Sequence, residues 1–202
     1  MFLEGITLGI IIGKLRGGRL GNIGRTNMKM WPLIIFALFI QFLPLFIGSY
    51  SWSGYIVPYA YIVSLGLILV CLIFNLDKKS LWIVSLGMLL NMVALILHKN
   101  AMPISMDLIK NTNYIQSISE INNNNLIKYI EFEKVEGISK YLGRFILIKR
   151  PYISSSIMSI GDILVSIGVL AFTQAQMLNN YYHNYSYSSR SRMIKFRYSG
   201  NK

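Results

Sequence analysis

Lys14-Leu15-Arg16-Gly17-Gly18-Arg19-Leu20 is a short basic stretch between two apolar segments, residues 1–13 and 31–47. Residues 14–30 hold five lysines and arginines and no acidic residue. In membrane proteins, short loops rich in Lys and Arg stay on the cytoplasmic side. We therefore expect this segment to fix the threading of the chain as a topology anchor. The alternative is a contact with anionic lipid through its basic side chains, Lys14, Arg16, Arg19 and Arg25.

The composition is that of a membrane protein. Hydrophobic residues make up 53% of the 202 residues and charged residues only 14%, with a mean hydropathy of +0.47. A soluble domain has about 25% charged residues. The net charge of +12 comes mainly from basic residues beside apolar segments, and no nucleic-acid-binding motif is present. We therefore expect membrane lipids as partners, and no nucleic acid.

The apolar runs predict an all-α integral membrane protein with about five transmembrane helices and one long outer loop. The predicted spans lie near residues 1–13, 31–47, 55–74, 81–97 and 157–178. Residues 1–178 would form the membrane domain, with the outer loop at 98–156, where short surface helices are expected within 104–109 and 126–148. Residues 179–202 form a basic tail rich in Tyr and Ser, which we expect to be disordered in the cytoplasm.

The distribution of Lys and Arg predicts the orientation. With the first basic loop inside, the cytoplasmic segments carry 12 Lys and Arg and the outer segments 8. The outer ones are spread over a loop of about 60 residues, and long loops count less than short ones. We expect a multi-pass protein of the cell membrane with its N-terminus outside and its C-terminus in the cytoplasm.

Small and polar residues in the spans predict how the helices pack. Gly5, Gly9 and Gly13 recur every four residues, which places them in one stripe that lets another backbone approach closely. A helix of the same chain is the expected partner; a second copy or another membrane protein is the alternative. Asn91 is strongly polar within the fourth span, so we expect it to hydrogen-bond to another helix, with the lining of a substrate site as the alternative.

Polar residues near the predicted outer face form a candidate site. Glu4 and Asp162 are acids at the membrane edge, where a charge is costly. At the same level lie His98, Lys99 and Asn100, and Arg144, Lys149 and Arg150 could fold back to it. The hypothesis is a site for a lipid headgroup or a small polar solute. The alternatives are a helix-capping box from Ser159 to Asp162 and, for Glu4, the solvated end of the first helix.

The sequence contains no signature of catalysis, a metal site or a cofactor. Cys71 is the single cysteine, and the two histidines lie far apart on opposite sides of the predicted membrane. Common hydrolase, metalloprotease and phosphate-loop motifs are absent. We therefore expect a non-catalytic component of a membrane assembly. The alternative is a small transporter or binding protein for a headgroup or polar solute.

Three stretches resemble a family of small bacterial multi-pass membrane proteins that carries a domain-of-unknown-function label. The first is Lys14-Leu15-Arg16-Gly17-Gly18-Arg19-Leu20 after a short apolar segment. The others are Asn100-Ala101-Met102-Pro103-Ile104-Ser105 and Ser159-Ile160-Gly161-Asp162-Ile163-Leu164. The resemblance implies a bacterial inner-membrane location and no assigned activity. It also implies an acidic residue at position 144, where this chain has Arg144.

Overall fold

The computed structural model of the chain is mostly helical. It describes residues 2–47, 53–105, 108, 128–135, 137–148 and 156–179. The five α-helices are α1 (Phe2–Leu15), α2 (Pro32–Ile47), α3 (Ser53–Phe74), α4 (Lys79–Leu97) and α5 (Ile160–Leu178). Short 3₁₀ helices occupy Leu20–Arg25, Phe132–Lys134 and Ile138–Leu142. The described part of the chain therefore has a helix at each of the five predicted apolar segments.

The helices pack side by side in the order α2, α3, α4, α5, α1. The contacts of Gly161 with Gly87 and of Gly168 with Val84 show that α5 runs antiparallel to α4. α1 runs parallel to α5, since Gly5 lies against Ser166 and Gly13 against Met177. The layer therefore has two distinct ends. The loop end holds the start of α1, the end of α4 and the start of α5. The basic end holds residues 14–30, the turn between α3 and α4, and the end of α5.

Glycines set the close spacing of α1 against α5. A Cβ atom added to Gly5 would lie 2.8 Å from the carbonyl oxygen of Ser166. One added to Gly9 would lie 2.8 Å from Cβ of Thr173, and one added to Gly13 would lie 2.6 Å from Sδ of Met177. A larger residue at Gly5 or Gly9 would meet backbone atoms of α5 and force the helices apart, whereas one at Gly13 would displace the side chain of Met177. The stripe is therefore occupied by α5 of the same chain.

Large apolar side chains cover the outside of the helices. Phe36 and Phe39 on α2 are 57% and 61% exposed, Trp82 on α4 is 60% exposed, and Ile167 on α5 is 51% exposed. Two helical segments, Ser80–Leu97 and Ile160–Leu178, are long and apolar enough to cross a membrane by length and composition. Two shorter apolar segments are Pro32–Phe42 and Tyr59–Phe74. Among the described residues only these two helices meet the length for a span, so the structure does not support the prediction of five transmembrane helices.

The expectation of an all-α chain is wrong, because the described residues between α4 and α5 include four short strands. β1 (Ala101–Ile104) pairs in parallel with β2 (Lys128–Glu131), and β3 (Ile146–Ile148) pairs antiparallel with β4 (Ser156–Met158). The two pairs meet at a bridge between Ile104 and Arg144. Met102 of β1 packs against α3 and α4 at the loop end, and Ile104 and Ile157 pack against each other between the strands.

Two boundaries change as a result. The fifth helix begins at Ile160 and not at residue 157, because Ile157 and Met158 pair with β3 and Ser159 caps the helix. Residues 128–131, predicted within a surface helix, form a strand because they pair with β1. β1 is distant in sequence, so no local pattern indicates this pairing. The tail at 180–202 and most of 104–127 lie outside the described residues.

Candidate polar site at the loop end of the helices

The site begins with a capping box at the start of α5. The backbone amide of Asp162 donates to Oγ of Ser159 at 3.0 Å, and the backbone amide of Ser159 donates to Oδ2 of Asp162 at 3.2 Å. This reciprocal pair satisfies two helix-end amides, and the carboxylate lies at the positive end of the helix dipole. The capping alternative derived from the sequence is thus present in the structure.

Asn91 of α4 joins this capping box across the helix interface. Its side-chain amide donates to Oδ1 of Asp162 at 2.9 Å, and its side-chain oxygen accepts from Oγ of Ser159 at 2.8 Å. Asn91 reaches both groups because Gly87 and Gly161 allow close approach: a Cβ on Gly87 would lie 2.6 Å from the Gly161 carbonyl oxygen. Asn91 therefore makes the interhelical hydrogen bonds that its polarity within an apolar helix demands.

Arg144 brings the segment between the helices onto this network. Its Nε lies 3.4 Å from Oδ2 of Asp162, and its guanidinium donates to the Tyr129 hydroxyl at 2.7 Å. The side chains of Arg144 and Asp162 are 23% and 20% exposed. Tyr61 of α3 lies within electrostatic range of both charges. The result is a partly enclosed ion pair that is hydrogen-bonded to the Tyr129 hydroxyl and the Asn91 amide.

The backbone holds Arg144 in place. Its amide donates to the Pro103 carbonyl at 2.7 Å, and its carbonyl accepts from the Ser105 amide at 3.2 Å. The preceding residue must be small, because a Cβ added to Gly143 would lie 2.5 Å from the Pro103 carbonyl oxygen. β1 thus positions Arg144 over the start of α5. We define the polar site as Asn91, Tyr129, Arg144, Ser159 and Asp162.

Of the predicted outer cluster, Asp162 belongs to this site and the other members lie around it. His98 caps α4, with Nδ1 2.7 Å from the Ala94 carbonyl oxygen. Lys99 and Asn100 form the next turn with φ of 53° and 67°, and the Asn100 amide donates to the Leu95 carbonyl at 2.8 Å. Glu4 lies on α1 beside Gly5, which faces Ser166 one turn beyond Asp162.

Sequence reasoning missed Tyr129 and Tyr61, and it named Arg144 as a residue able to fold back and as a departure from the resemblance, without predicting its ion pair with Asp162. Tyr129 lies in a strand whose partner β1 is distant in the sequence, so no local pattern connects it to Asp162. Gly143, followed by an arginine, was the one local signal of a close backbone approach. Lys149 and Arg150 lie outside the described residues.

The basic end carries the other predicted contacts. Lys14, Arg16, Arg19 and Arg25 are all exposed there. Asp77 in the nearby turn pairs with Lys78 at 3.2 Å and with Lys29 at 3.6 Å. The hydrogen bond from Lys78, and then the charges of Lys78 and Lys29, lower the pKa of Asp77 below its ordinary value. No group of three His, Cys, Asp or Glu residues within the described ranges could hold a metal ion.

Comparison with protein families gives one match. The family model DUF5317, a family of unknown function, matches residues 25–174. The chain belongs to the DUF5317 family. The expected membership of a family of unknown function is thereby confirmed. The match includes the whole polar site of this DUF5317 protein and the stretches that begin at Asn100 and Ser159. It starts at Arg25, so the Lys14–Leu20 stretch lies before it. Searches of curated proteins and of solved structures gave no significant match.

Proposed function

We propose that this DUF5317 protein is a non-catalytic integral membrane protein that acts as a component of a membrane assembly. The observation that carries the proposal is the apolar surface of the five helices. Monomeric soluble proteins rarely expose contiguous apolar patches above a few hundred Å². Here every helix presents large exposed apolar side chains, such as Leu8 of α1, Phe39 of α2 and Trp82 of α4. In a membrane, lipid acyl chains would cover this surface, so no free energy would be lost by exposing it to water.

The interior of the helical layer agrees with this environment. Helices in lipid associate through small residues and side-chain hydrogen bonds, because the hydrophobic effect does not drive them together. Gly9 and Gly87 lie at such contacts, and Gln41 of α2 donates to Ser64 of α3 at 3.1 Å. Buried Thr173 donates to the carbonyl four residues before it, at 2.9 Å. This satisfies a hydroxyl where water is absent.

Helix length favours passage through the membrane for the longer elements. α3 has 22 residues and α4 and α5 have 19 each, which at about 1.5 Å per residue approaches a hydrocarbon core of about 30 Å. α1 has 14 residues, so it would end within the membrane or thin it locally. Five passes would place the N-terminus outside and the C-terminus in the cytoplasm, as the Lys and Arg distribution favours.

The route of assembly differs from the one that the glycine pattern first suggests. Gly5, Gly9 and Gly13 contact α5 within the chain, so this stripe is closed to another protein. A partner would contact another part of the surface, such as α2, which packs on α3 at the edge of the layer and exposes Phe36 and Phe39. Mass spectrometry of the protein extracted in mild detergent tests this component role: a partner in fixed ratio supports it, and an isolated monomer contradicts it.

Membrane integration has its own test. Membranes from expressing cells are washed with alkaline carbonate, which strips peripheral proteins, and then dissolved in detergent. We expect the protein in the carbonate pellet and in the detergent extract. Release by carbonate would contradict integration.

Binding at the polar site is the second candidate function, and the partly enclosed Arg144–Asp162 pair favours it. An anionic group that reached the site could compete with Asp162 for the guanidinium, whose fork of N–H donors pairs with carboxylates and phosphates. A thermal-shift titration with glycerol phosphate tests this idea in purified protein. We expect a saturable shift that Arg144→Gln abolishes and Lys99→Gln, an exposed change at the same end, preserves. An equal shift in both variants would contradict it.

A further inference from the structure

The basic end presents a surface of exposed cations, which we call the basic face. Its members come from the last turn of α1, the segment that follows it and the start of α4, and all are exposed: Lys14, Arg16, Arg19, Arg25, Lys29 and Lys79. Asp77 is the one acid among the described residues of this end, and Lys78 and Lys29 already pair with it. The face therefore carries a strong net positive charge.

Hydrogen bonds fix the first half of this face on the end of α5. The Met177 carbonyl accepts from the backbone amide of Arg19 at 3.0 Å and from the side-chain amide of Asn22 at 2.9 Å. The Thr26 hydroxyl donates to Oε1 of Gln176 at 3.1 Å. Asn22 is only 4% exposed, so its hydrogen bond to Met177 is shielded from water.

Asn75 fixes the second half of the face on the end of α3. Its Oδ1 accepts from the backbone amide of Lys29 at 2.8 Å, and its Nδ2 donates to the Lys29 carbonyl at 2.7 Å. Asn75 is fully buried. The cations of residues 14–30 are thus borne by a folded segment bound at two points, and not by a free polybasic tether.

Exposed apolar side chains lie among the cations. Leu15 is 81% exposed, Leu20 47% and Trp31 57%. Trp at this position, between an apolar helix and a charged segment, is typical of the lipid–water interface. An amphipathic surface of this kind inserts apolar groups beside the acyl chains and leaves its cations at the level of the lipid phosphates.

We propose that the basic face is a preformed binding surface for the phosphate groups of anionic phospholipids. Charge complementarity selects an anionic partner, and the apolar side chains beside the cations select a lipid over a nucleic acid. Because the segment is already folded, binding loses little conformational entropy, which favours selective retention over loose attraction. The inference rests on the proposed membrane location.

Native mass spectrometry of the full chain in an uncharged detergent tests the proposal. The protein is offered equal amounts of phosphatidylglycerol and phosphatidylcholine. We expect at least tenfold preferential retention of phosphatidylglycerol, and a further decrease in retention as salt is raised. Equal retention of the two lipids would overturn the proposal. Tighter binding of a short DNA duplex than of phosphatidylglycerol would overturn it in favour of nucleic acid.

Matched variants locate the effect. Lys14→Gln with Arg19→Gln removes two exposed charges from the basic face, and we expect the lipid preference to fall at least fivefold. Lys99→Gln with Lys140→Gln removes the same charge at the loop end and should leave the preference unchanged. An equal fall in both pairs would overturn the proposal.

Two further variants separate charge from folding. Lys14→Arg with Arg19→Lys keeps both charges and should bind as the original protein does. Thr26→Val keeps every cation but removes one attachment of the segment, and we expect at least a twofold loss of preference. No loss with Thr26→Val would overturn the preformed character of the surface. If the protein resists carbonate extraction but shows no preference for phosphatidylglycerol, the lipid-binding surface is refuted and the proposed membrane integration is retained.

Discussion

At the scale of single residues, Asp162 connects three parts of the chain. It caps α5 through Ser159, accepts from Asn91 of α4 and pairs with Arg144 near the strands. A charge at the edge of an apolar region is costly unless it is paired and hydrogen-bonded. Asp162 meets both conditions, so its partners should be energetically coupled.

A double-mutant cycle on Asp162→Asn and Arg144→Gln measures that coupling. Each single change removes the ion pair, and the double change removes it only once, so the two losses should not add. We expect a coupling of about 1–2 kcal/mol in the free energy of unfolding, measured by denaturant titration in detergent. Additive losses within about 0.3 kcal/mol would contradict a direct interaction in the folded protein.

Asn75 is a second residue on which much depends, at the basic end. Its side chain satisfies both backbone groups of Lys29 and also donates to the Cys71 carbonyl at 2.8 Å. Asn75→Ala would remove these three hydrogen bonds. We expect a loss of about 1–3 kcal/mol and faster hydrogen exchange at the Lys29 amide. Unchanged exchange at Lys29 would contradict the attachment.

At the scale of helices, glycines allow close packing where two helix backbones meet. Gly87 of α4 lies against the backbone of α5, where an added Cβ would lie 2.6 Å from the Gly161 carbonyl oxygen and 2.8 Å from the Val165 nitrogen. A Cβ atom added to Gly66 of α3 would have no atom of another described element within 4 Å. The two glycines thus form a matched pair that separates packing from helix propensity.

Replacing each by alanine should give opposite results. Gly87→Ala overpacks the α4–α5 contact, and we expect destabilisation of about 1–3 kcal/mol. Gly66→Ala should be neutral or stabilise by up to about 1 kcal/mol, since alanine favours the helix. Thermal unfolding followed by tryptophan fluorescence compares them. Equal effects of the two substitutions would show that α4 and α5 do not pack through Gly87.

The elements differ in how far sequence could predict them. Apolar runs and the pattern from Ser159 to Asp162 located the five helices and the cap of α5, because these depend on local periodicity and spacing. The strands escaped prediction, since β1 pairs with a strand more than twenty residues away. For the same reason Asp162 was predicted as a site residue, whereas its contact with Arg144 required the fold to bring the two together.

At the scale of the whole molecule, the two ends of one helical layer carry different chemistry. The loop end carries the polar site and the strands, and the basic end carries the cations and two buried asparagines that hold them. The orientation of α1, α4 and α5 produces this division. In the proposed membrane location, the apolar surface between the two ends would lie within the bilayer. The central claim is that the two ends face opposite sides of a bilayer.

Two-sided cysteine labelling tests this claim most directly. In a Cys71→Ala background, Glu133→Cys reports on the loop end and Lys79→Cys on the basic end; both positions are exposed. Intact spheroplasts are treated with a membrane-impermeant maleimide and then permeabilised. We expect labelling at position 133 in intact cells, and at position 79 only after permeabilisation. Labelling of both positions in intact cells, or of neither, would contradict the account.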